Sequence, residues 1–409
     1  MKREPYIFKL CKLLLLILTV FLFFSPASSV RAEQSPVLSG LDNTTFGIYD
    51  ERTKALRTVL KGLKEFPDVP GAAMLMARHG RVIFQEAYDW ADQKSQKPFS
   101  VDSVFLIASA TKPITATCVM KLVEEGKINL DDPISKYLPL FGHLKMAQTG
   151  APGKAPSIRQ CLSHTSGFFG LRGAPQEGMR AVRDFSLSLA DSVEIIARQE
   201  QLSLPASQFN YGGASYQVVA RIVEVVSGKP FEGFMAEQLL KPLGMSGTFF
   251  RPSPDQDLGR VVPVYRRVPE KGFVPLTNFD PDPKRRLILA SGGLYSCLND
   301  LAIFLQMHLN HGAYGQKRIL SPHAVAEMQK NQTGAAKAPY GLGWFLGRPG
   351  ADGQARLIHH PGLFGTLAWI DKEHGLIAVF ITSASSPQVE KIREDVLRQV
   401  SDIVAAHKE

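Results

Sequence analysis

The chain has few cysteines, and they are widely spaced. Four occur in 409 residues, and one of them, Cys11, lies in the N-terminal segment described below. The other three, Cys118, Cys161 and Cys297, are odd in number and far apart, so neither a disulfide framework nor a cysteine metal site is predicted. Cys118 and Cys161 lie in apolar patterns, and we expect them to be small core residues.

Basic clusters are equally scarce. The longest is the tetrapeptide "PKRR" at residues 283–286, which is more typical of a solvated loop than of a binding site. The formal net charge is +9, and it falls to +5 without residues 1–32, because that segment holds five basic residues and one acidic residue. A balance of that size without a Lys/Arg-rich tract does not favour nucleic acid as a partner.

Three familiar motifs are also missing from the sequence. It contains no His-Glu-x-x-His, no Gly-x-Ser-x-Gly and no phosphate-cradling glycine loop between a strand and a helix. The dipeptide His359-His360 is by itself poor evidence for a metal, and His164 in "LSHTSGFFG" is expected to be a structural residue in a turn. The sequence therefore predicts neither a metal nor a cofactor.

Residues 1–32 are predicted to be a secretory signal peptide. Four basic residues precede the apolar run "LLLLILTVFLFF", and small residues ending at Ala32 follow it, which is typical of an export signal cleaved after Ala32. The run is shorter than the about 20 apolar residues of a membrane span, and no later segment could cross a bilayer. We expect a periplasmic or secreted protein, with tethering by an uncleaved N-terminal anchor as the alternative.

The rest of the chain has the composition of one large globular domain. Apolar residues make up 44% of the sequence, and no internal repeat or low-complexity linker interrupts it. We expect a lead-in at residues 33–46 and a folded domain at residues 47–405.

Strands are predicted near both ends of this domain. In "AAMLMARHGRVIFQEAYDWAD" (72–92), two apolar, β-prone runs flank the turn signal His79-Gly80, which predicts a hairpin. A second β-rich region consists of "TLAWID", the turn "KEHG" and "LIAVFIT". The final segment has apolar residues at helical spacing from Val389 to Ile403, which predicts a helix.

The chain between these ends is predicted to be mainly helical. Strands at both termini and helices between them predict an α/β (α+β) fold, in which N- and C-terminal segments form one antiparallel sheet flanked by helices. The sheet lobe would take about residues 47–112 and 290–405, and a mainly helical second lobe would take about residues 113–289. A cleft between two such lobes is the usual place for a site.

The stretch "ASATKP" (108–113) places Ser109 and Lys112 at the predicted start of a helix. Ser109 or Thr111 would cap that helix, and Pro113 would lie in its first turn. Residues three apart share a helix face, so the Lys112 amine would reach the Ser109 hydroxyl. A serine needs a base to become a nucleophile, and a lysine can be that base if burial lowers its pKa. The motif alone favours a helix cap beside a surface lysine.

Six segments resemble, in family order, those of the serine β-lactamase and penicillin-binding superfamily. They are "PGAAMLMARHGRVIFQEAYDWAD", "SVFLIASATKPITA", "IRQCLSHTSGF", "KPLGMSGTFF", "ASGGLYSCLNDLAIF" and "YGLGWFL". The resemblance covers roughly residues 47–405 and is greatest for the branch of class C β-lactamases, D-alanyl-D-alanine carboxypeptidases and esterases. It implies a β-lactamase/transpeptidase-like fold and an acyl-enzyme on Ser109.

The resemblance implies a second catalytic element, Tyr-x-Asn. In "FNYGGASYQVVARIVE", Tyr211 lies at the tyrosine position and Gly213 lies where asparagine is usual. As a phenolate, or sharing a proton with Lys112, Tyr211 would assist the attack and protonate the leaving group. The alternative is a core aromatic residue with a hydrogen-bonded tip. Gly213 lacks the amide that would hold the acyl amide of a substrate, which disfavours β-lactams and peptides.

The third element of the family, Lys-Thr-Gly or His-x-Gly, corresponds to His360-Pro361-Gly362. The resemblance implies that His360 supplies a donor or a positive field to the catalytic groups, and that Gly362 lets the substrate approach the backbone. The N–H groups of Ser109 and Leu363 would form an oxyanion hole. Pro361 lacks the hydroxyl that often meets a substrate carboxylate, which argues against a dedicated carboxypeptidase.

These inferences lead us to expect an exported serine hydrolase that acts on esters or small amides. A β-lactamase or D-alanyl-D-alanine carboxypeptidase is the first alternative, and a penicillin-binding sensor without turnover is a more distant one. The expected partner is a small-molecule ester, amide or β-lactam. The sequence predicts no particular oligomeric state.

Overall fold

A computed structural model describes residues 35–40, 51–62, 70–92, 94–171, 173–268, 270–347, 349–350 and 353–405. The expected signal peptide, its cleavage point and most of the lead-in lie outside the described residues. The chain from Pro36 onward forms one compact unit. No helix in these ranges is both long and apolar enough to cross a bilayer.

Helices of the described chain lie mostly in its middle and at its end. They are α1 (Glu51–Gly62), α2 (Thr111–Glu124), α3 (Ile158–Leu162), α4 (Gln176–Ala181), α5 (Leu189–Ala197), α6 (Ala214–Ser227), α7 (Phe231–Met235), α8 (Lys241–Leu243), α9 (Leu298–Leu309), α10 (Pro322–Met328) and α11 (Pro387–Ala405). A π-helical turn at Ala236–Leu240 joins α7 to α8.

Strands lie mainly towards the two ends of the domain. They are β1 (Gly71–Arg78), β2 (Arg81–Asp92), β3 (Lys97–Pro98), β4 (Phe105–Leu106), β5 (Tyr265–Val268), β6 (Gly272–Pro275), β7 (Tyr295–Ser296), β8 (Ala313–Tyr314), β9 (Lys317–Arg318), β10 (Phe345–Leu346), β11 (Leu357–Pro361), β12 (Leu367–Asp371), β13 (Leu376–Thr382) and β14 (Ala384–Ser385).

The main sheet is antiparallel and is closed by the two ends of the domain, which confirms the expected α/β fold. Its strand order is β10-β11-β12-β13-β1-β2-β3. The N-terminal strand β1 pairs with the C-terminal strand β13 over its length, from Ala72 opposite Thr382 to Arg78 opposite Leu376. The predicted hairpin is β1–β2, and its two turn residues, His79 and Gly80, both have positive φ. That conformation matches the twist of the paired strands.

Helices cover both faces of this sheet because successive side chains of β1 point to opposite sides. Leu75 and its alternate neighbours enter the main core, where α9 packs against β1 and β13. Met74 and its alternate neighbours enter a second cluster, which contains Leu56 of α1 and Val396 of α11. The predicted C-terminal helix is therefore present, and its apolar stripe is buried on the sheet.

The middle of the chain is mainly helical, with one departure. Strands β5 and β6 lie within the segment expected to be helical, and they form a small sheet with β14. Helix α2 is buried over most of its circumference, and its buried residues include Lys112 and three threonines. It carries the Ser-x-x-Lys segment into the core. The boundaries of the two expected lobes stay a prediction.

Candidate active site

Ser109 lies in a 3₁₀ turn, Ala108–Ala110, that leads directly into α2. Ala108 has a φ of +46°, a conformation that costs free energy for a residue with a Cβ and that clusters at functional sites. The expected capping by Ser109 or Thr111 is wrong. The N-cap is Ala110, without a side-chain cap, and the Thr111 hydroxyl accepts the N–H of Leu294 at 3.3 Å. Ser109 is thus left free of a capping role.

Lys112 lies in the first turn of α2 and is only 2% exposed. Its Nζ donates to Ser109 Oγ at 3.0 Å and to the backbone oxygen of Ser291 at 2.9 Å. Burial lowers the pKa of Lys112 to about 7. The predicted contact between the two side chains is present, and it pairs the serine hydroxyl with an amine that is a base near neutral pH.

Tyr211 lies beside this pair, on the loop that precedes α6. Its ring centroid is 4.6 Å from Lys112 Nζ, and its hydroxyl lies 3.5 Å from His360 Nε2. The backbone of this loop is held by a hydrogen bond, in which the N–H of Leu171 donates to the backbone carbonyl oxygen of Tyr211 at 2.8 Å. Burial raises the pKa of Tyr211, so the resting side chain is a neutral phenol. The phenolate interpretation therefore does not fit the free site, and the sharing of a proton with Lys112 stays a prediction.

His360 is fully buried on β11, and its hydrogen bonds define its state. Nδ1 lies 2.8 Å from the carbonyl oxygen of Pro361, which can only accept, so Nδ1 carries the proton. Nε2 lies 3.2 Å from the Tyr340 hydroxyl and 3.5 Å from the Tyr211 hydroxyl, and its one free lone pair accepts from the nearer of the two, Tyr340. Burial and the nearby Lys112 charge hold the pKa of His360 well below its usual value. The expected donor or positive field is therefore wrong: His360 is a neutral acceptor.

Tyr340 is a member of this cluster that the sequence analysis did not single out. It is 0% exposed, and its hydroxyl shares the Nε2 atom of His360 with Tyr211. The segment "YGLGWFL" that contains it was part of the resemblance, which was the only signal in the sequence. A position so far from the other motif residues along the chain gave no spacing from which to predict the contact.

His164 supports the ring of Tyr211 from behind. It has a φ of +59° and is buried, its Nδ1 accepts the N–H of Gly212 at 3.4 Å, and its ring centroid is 4.4 Å from that of Tyr211. These contacts agree with the structural role in a turn that the sequence suggested.

Gly362 follows β11 in a tight turn that lies against the segment before the nucleophile. A Cβ at this position would be 2.4 Å from the backbone oxygen of Ile107. The N–H of Gly362 donates to the backbone oxygen of Thr366 at 2.7 Å. The glycine therefore permits the approach of two protein segments, and this differs from the expected approach of a substrate.

The two expected oxyanion donors are the N–H groups of Ser109 and Leu363. Leu363 is 63% exposed on the same turn. Within the described ranges, neither N–H donates to a backbone or side-chain acceptor. Both groups are consequently available to an oxygen atom of a ligand, as an oxyanion hole requires.

Gly213 is the N-cap of α6, with φ −94° and ψ −29°, which any residue can adopt. The missing asparagine side chain is therefore not explained by backbone strain. A Cβ at Gly213 would instead lie 2.8 Å from Ser291 Oγ. A neighbouring hydroxyl occupies the space.

Two other features lie apart from this cluster. A cavity of about 730 Å³, lined in part by Glu124 and Glu327, lies at the opposite end of α2 and includes none of the predicted site residues. Among the described residues, one group brings three metal-type ligand atoms within 4.8 Å: Asp371, Glu373 and His374. In that group, Nδ1 of His374 already pairs with Asp371 at 2.9 Å.

Comparisons with known proteins address the family and the fold of the chain. The family model described as Beta-lactamase matches residues 57–401. Esterase EstB of Burkholderia gladioli is 27% identical over 353 residues, covering 77% of this chain and 86% of that protein. A putative D-alanyl-D-alanine carboxypeptidase of Salmonella schwarzengrund is 25% identical over 398 residues, covering 90% of each. The solved structure of EstCE1, a hydrolase with promiscuous acyltransferase activity, is 23% identical with a TM-score of 0.72, covering 84% of this chain and 98% of that one, and it supports the fold alone.

Proposed function

The chain belongs to the β-lactamase family, and we propose that it is an exported serine hydrolase that cleaves esters or small amides through an acyl-enzyme on Ser109. The observation that carries the proposal is the buried contact between Lys112 Nζ and Ser109 Oγ at 3.0 Å. An amine whose pKa lies at about 7 is largely neutral at slightly alkaline pH, so it can take the proton that makes a serine nucleophilic.

Acylation begins when Ser109 Oγ bonds to the carbonyl carbon of the substrate and its proton passes to Lys112 Nζ. The carbonyl oxygen gains negative charge and accepts hydrogen bonds from the N–H groups of Ser109 and Leu363. When the bond to the leaving group breaks, Tyr211 gives its phenol proton to the departing oxygen or nitrogen. Tyr211 recovers a proton from Lys112, and the amine is neutral again.

Deacylation repeats the same proton transfers with water. Lys112, with Tyr211, accepts a proton from a water molecule as its oxygen bonds to the acyl carbon. The tetrahedral intermediate releases Ser109 Oγ, which takes the proton back, and the carboxylic acid leaves. Throughout both steps the neutral His360 keeps its Nε2 atom within hydrogen-bond distance of the Tyr211 and Tyr340 hydroxyls, at 3.5 and 3.2 Å, so it helps to orient the phenol.

Esters are the proposed substrates because two groups that would hold a peptide or β-lactam are missing. Gly213 supplies no amide to the acyl part of a substrate, and Pro361 supplies no hydroxyl to a carboxylate. A site that lacks such partners discriminates weakly and depends on the reactivity of the substrate. The alternative, D-alanyl-D-alanine carboxypeptidase or β-lactamase activity, is favoured by the relative with that putative carboxypeptidase name, which aligns over 90% of this chain.

A substrate panel decides between these two functions. It contains p-nitrophenyl acetate and butyrate, a chromogenic cephalosporin and a D-Ala-D-Ala peptide, each compared by kcat/KM. We expect the esters to be hydrolysed most efficiently. A kcat/KM for the cephalosporin or the peptide well above that of every ester would favour the alternative function. Such a result would not change the assignment of Ser109 as the nucleophile.

Export is a separate part of the proposal, and it is supported by the order of basic, apolar and small segments in residues 1–32. The full-length chain expressed in a bacterial host should yield a processed form whose N-terminal residue is Glu33. Recovery of only the unprocessed chain, with Met1 retained and bound to the membrane fraction, would favour the uncleaved anchor.

A further inference from the structure

The surroundings of Gly213 differ from those of a position that simply lost its side chain. The space that a Cβ would enter is filled by Ser291 Oγ, 2.8 Å from the ideal Cβ position, and Val182 Cγ1 follows at 3.5 Å. The site therefore retains a polar atom at this place, but it comes from a distant part of the sequence.

Ser291 is held beside the catalytic amine by its backbone. Its carbonyl oxygen accepts a hydrogen bond from Lys112 Nζ at 2.9 Å, and the residue is only 6% exposed. Its hydroxyl, in contrast, makes no hydrogen bond to any other residue that the structure describes, and it is not among the fully buried polar atoms that lack a partner. The hydroxyl therefore keeps some exposed surface, through which a partner from outside the protein can reach it.

We propose that Ser291 is a specificity-determining residue, whose hydroxyl replaces the absent side chain at Gly213 and hydrogen-bonds a polar group in the acyl part of the substrate. The inference rests on the proposed function of Ser109. A hydroxyl both donates and accepts, so it can pair with the N–H or the C=O of an amide. Because Pro361 still supplies no hydroxyl to a substrate carboxylate, the preferred substrates stay esters, now with an amide next to the reacting carbonyl of the acyl group, such as N-acylated amino acid esters.

Two esters with the same leaving group test this proposal. The p-nitrophenyl ester of N-acetylglycine offers an acyl amide, and p-nitrophenyl acetate does not. Ser291→Ala should lower kcat/KM for the N-acetylglycine ester by about tenfold, the equivalent of one hydrogen bond, and should change the acetate value by less than about twofold. The matched control is Ser296→Ala, which removes another hydroxyl of the same segment, one that pairs with Thr248 at 2.8 Å. The control should affect both esters equally.

A second variant perturbs the Ser291 hydroxyl through its neighbour, Gly213. Gly213→Ala places a methyl group 2.8 Å from Ser291 Oγ, closer than the two atoms can stay, and displacement of that hydroxyl should reproduce the selective loss. In the double variant Gly213→Ala/Ser291→Ala, the loss should be no larger than in either single variant, because both changes remove one interaction.

The outcomes separate this inference from the proposed function. If Ser291→Ala lowers kcat/KM for both esters equally, Ser291 only positions Lys112 and the proposed role in specificity is wrong. If Ser291→Ala changes kcat/KM for neither ester, Ser291 has no role in the reaction and the proposal is equally wrong. If the wild-type protein hydrolyses neither ester and Ser109 takes no phosphonate label, the proposed function fails and the inference fails with it.

Discussion

Lys112 shows how burial alone can turn an ordinary residue into a base. The Ser-x-x-Lys spacing predicted that its amine would meet Ser109, and the structure confirms the contact. The spacing did not predict the second bond, to the carbonyl of Ser291, because that residue comes from a distant segment. Desolvation disfavours the charged amine and brings its pKa to about 7, far below the usual lysine value.

The pH dependence of the reaction follows from this shift. The base is active when neutral, so kcat/KM for p-nitrophenyl acetate should rise with pH through about 7 and level off above it. Lys112→Ala should lower kcat/KM by about 10²–10⁴ and remove this inflection, with an unchanged far-UV circular dichroism spectrum. A profile in the variant with the same inflection would show that another group titrates.

The same shift also affects folding, in a window set by the folded and unfolded pKa values of Lys112. The folded pKa of about 7 lies below the ordinary value of 10.5, so the unfolded chain binds the extra proton between these two values. Stability from this group therefore increases as pH rises across that window, and the cost of burying the amine is complete below about pH 7.

Tyr211 is the second residue whose role depends on its protonation. Tyr211→Phe removes the proton that the leaving group receives, so kcat should fall by about 10²–10⁴ while the protein stays folded. Steady-state rates on several esters, with thermal melting as the folding control, measure this. Near-normal turnover of the variant on all of them would make Tyr211 a packing residue.

For single residues, the sequence predicted which side chains form the site better than it predicted their protonation states. The motifs singled out Ser109, Lys112 and Tyr211, and the structure brings them together. The state of His360 was predicted incorrectly because its proton is placed by the carbonyl of Pro361 and by the Tyr340 hydroxyl. Tautomers depend on such tertiary neighbours, which one sequence does not show.

At the scale of elements, the turn after β11 connects the sheet to the nucleophile. Gly362→Ala would place a Cβ 2.4 Å from the Ile107 oxygen, so the turn and the segment before Ser109 must separate. We expect a fall in the free energy of unfolding of about 1–3 kcal/mol together with a loss of kcat. Denaturant titration and steady-state rates measure the two effects.

The matched control is Gly233→Ala in α7, where a Cβ would meet nothing within 4 Å. This change should leave the rate unaltered and stabilise the protein slightly, by up to about 1 kcal/mol, because alanine favours helix more than glycine does. If Gly362→Ala is as stable and active as this control, the turn does not position the nucleophile.

Elements with clear periodicity were predictable, and short irregular ones were not. The β1–β2 hairpin and α11 have a turn signal or an apolar stripe, and both are present. The 3₁₀ turn at Ala108–Ala110 was missed because it is three residues long and needs a positive φ that alanine does not signal. Strands β5 and β6 were missed because four residues carry too little periodicity.

At the scale of the whole molecule, both ends of the domain hold the sheet together. Strand β13 pairs with β1, and α11 covers the outer face with Val396 buried against Leu56 and Met74. The fold was predictable from the sequence because strand patterns at the two termini require a common sheet, and family resemblance pointed to the same answer. The details of the site were not predictable from the sequence, because they arise from contacts between segments that are distant along the chain.

Val396→Asp tests the closure of the sheet by the C-terminal helix. A carboxylate without a partner in this apolar cluster should lower the free energy of unfolding by about 3 kcal/mol or more. Lys391→Ala, an exposed change on the same helix, should stay within about 0.5 kcal/mol of the wild type. Equal melting temperatures for the two variants would contradict the packing of α11 on the sheet.

Covalent modification of Ser109 tests directly whether this residue is the nucleophile. A fluorophosphonate probe should add its mass once per chain, and peptide mapping should place it on Ser109. Labelling should become faster as pH rises through about 7, because neutral Lys112 activates the hydroxyl. Ser109→Ala should take no label and hydrolyse no ester. Undiminished labelling or hydrolysis in Ser109→Ala would contradict the account.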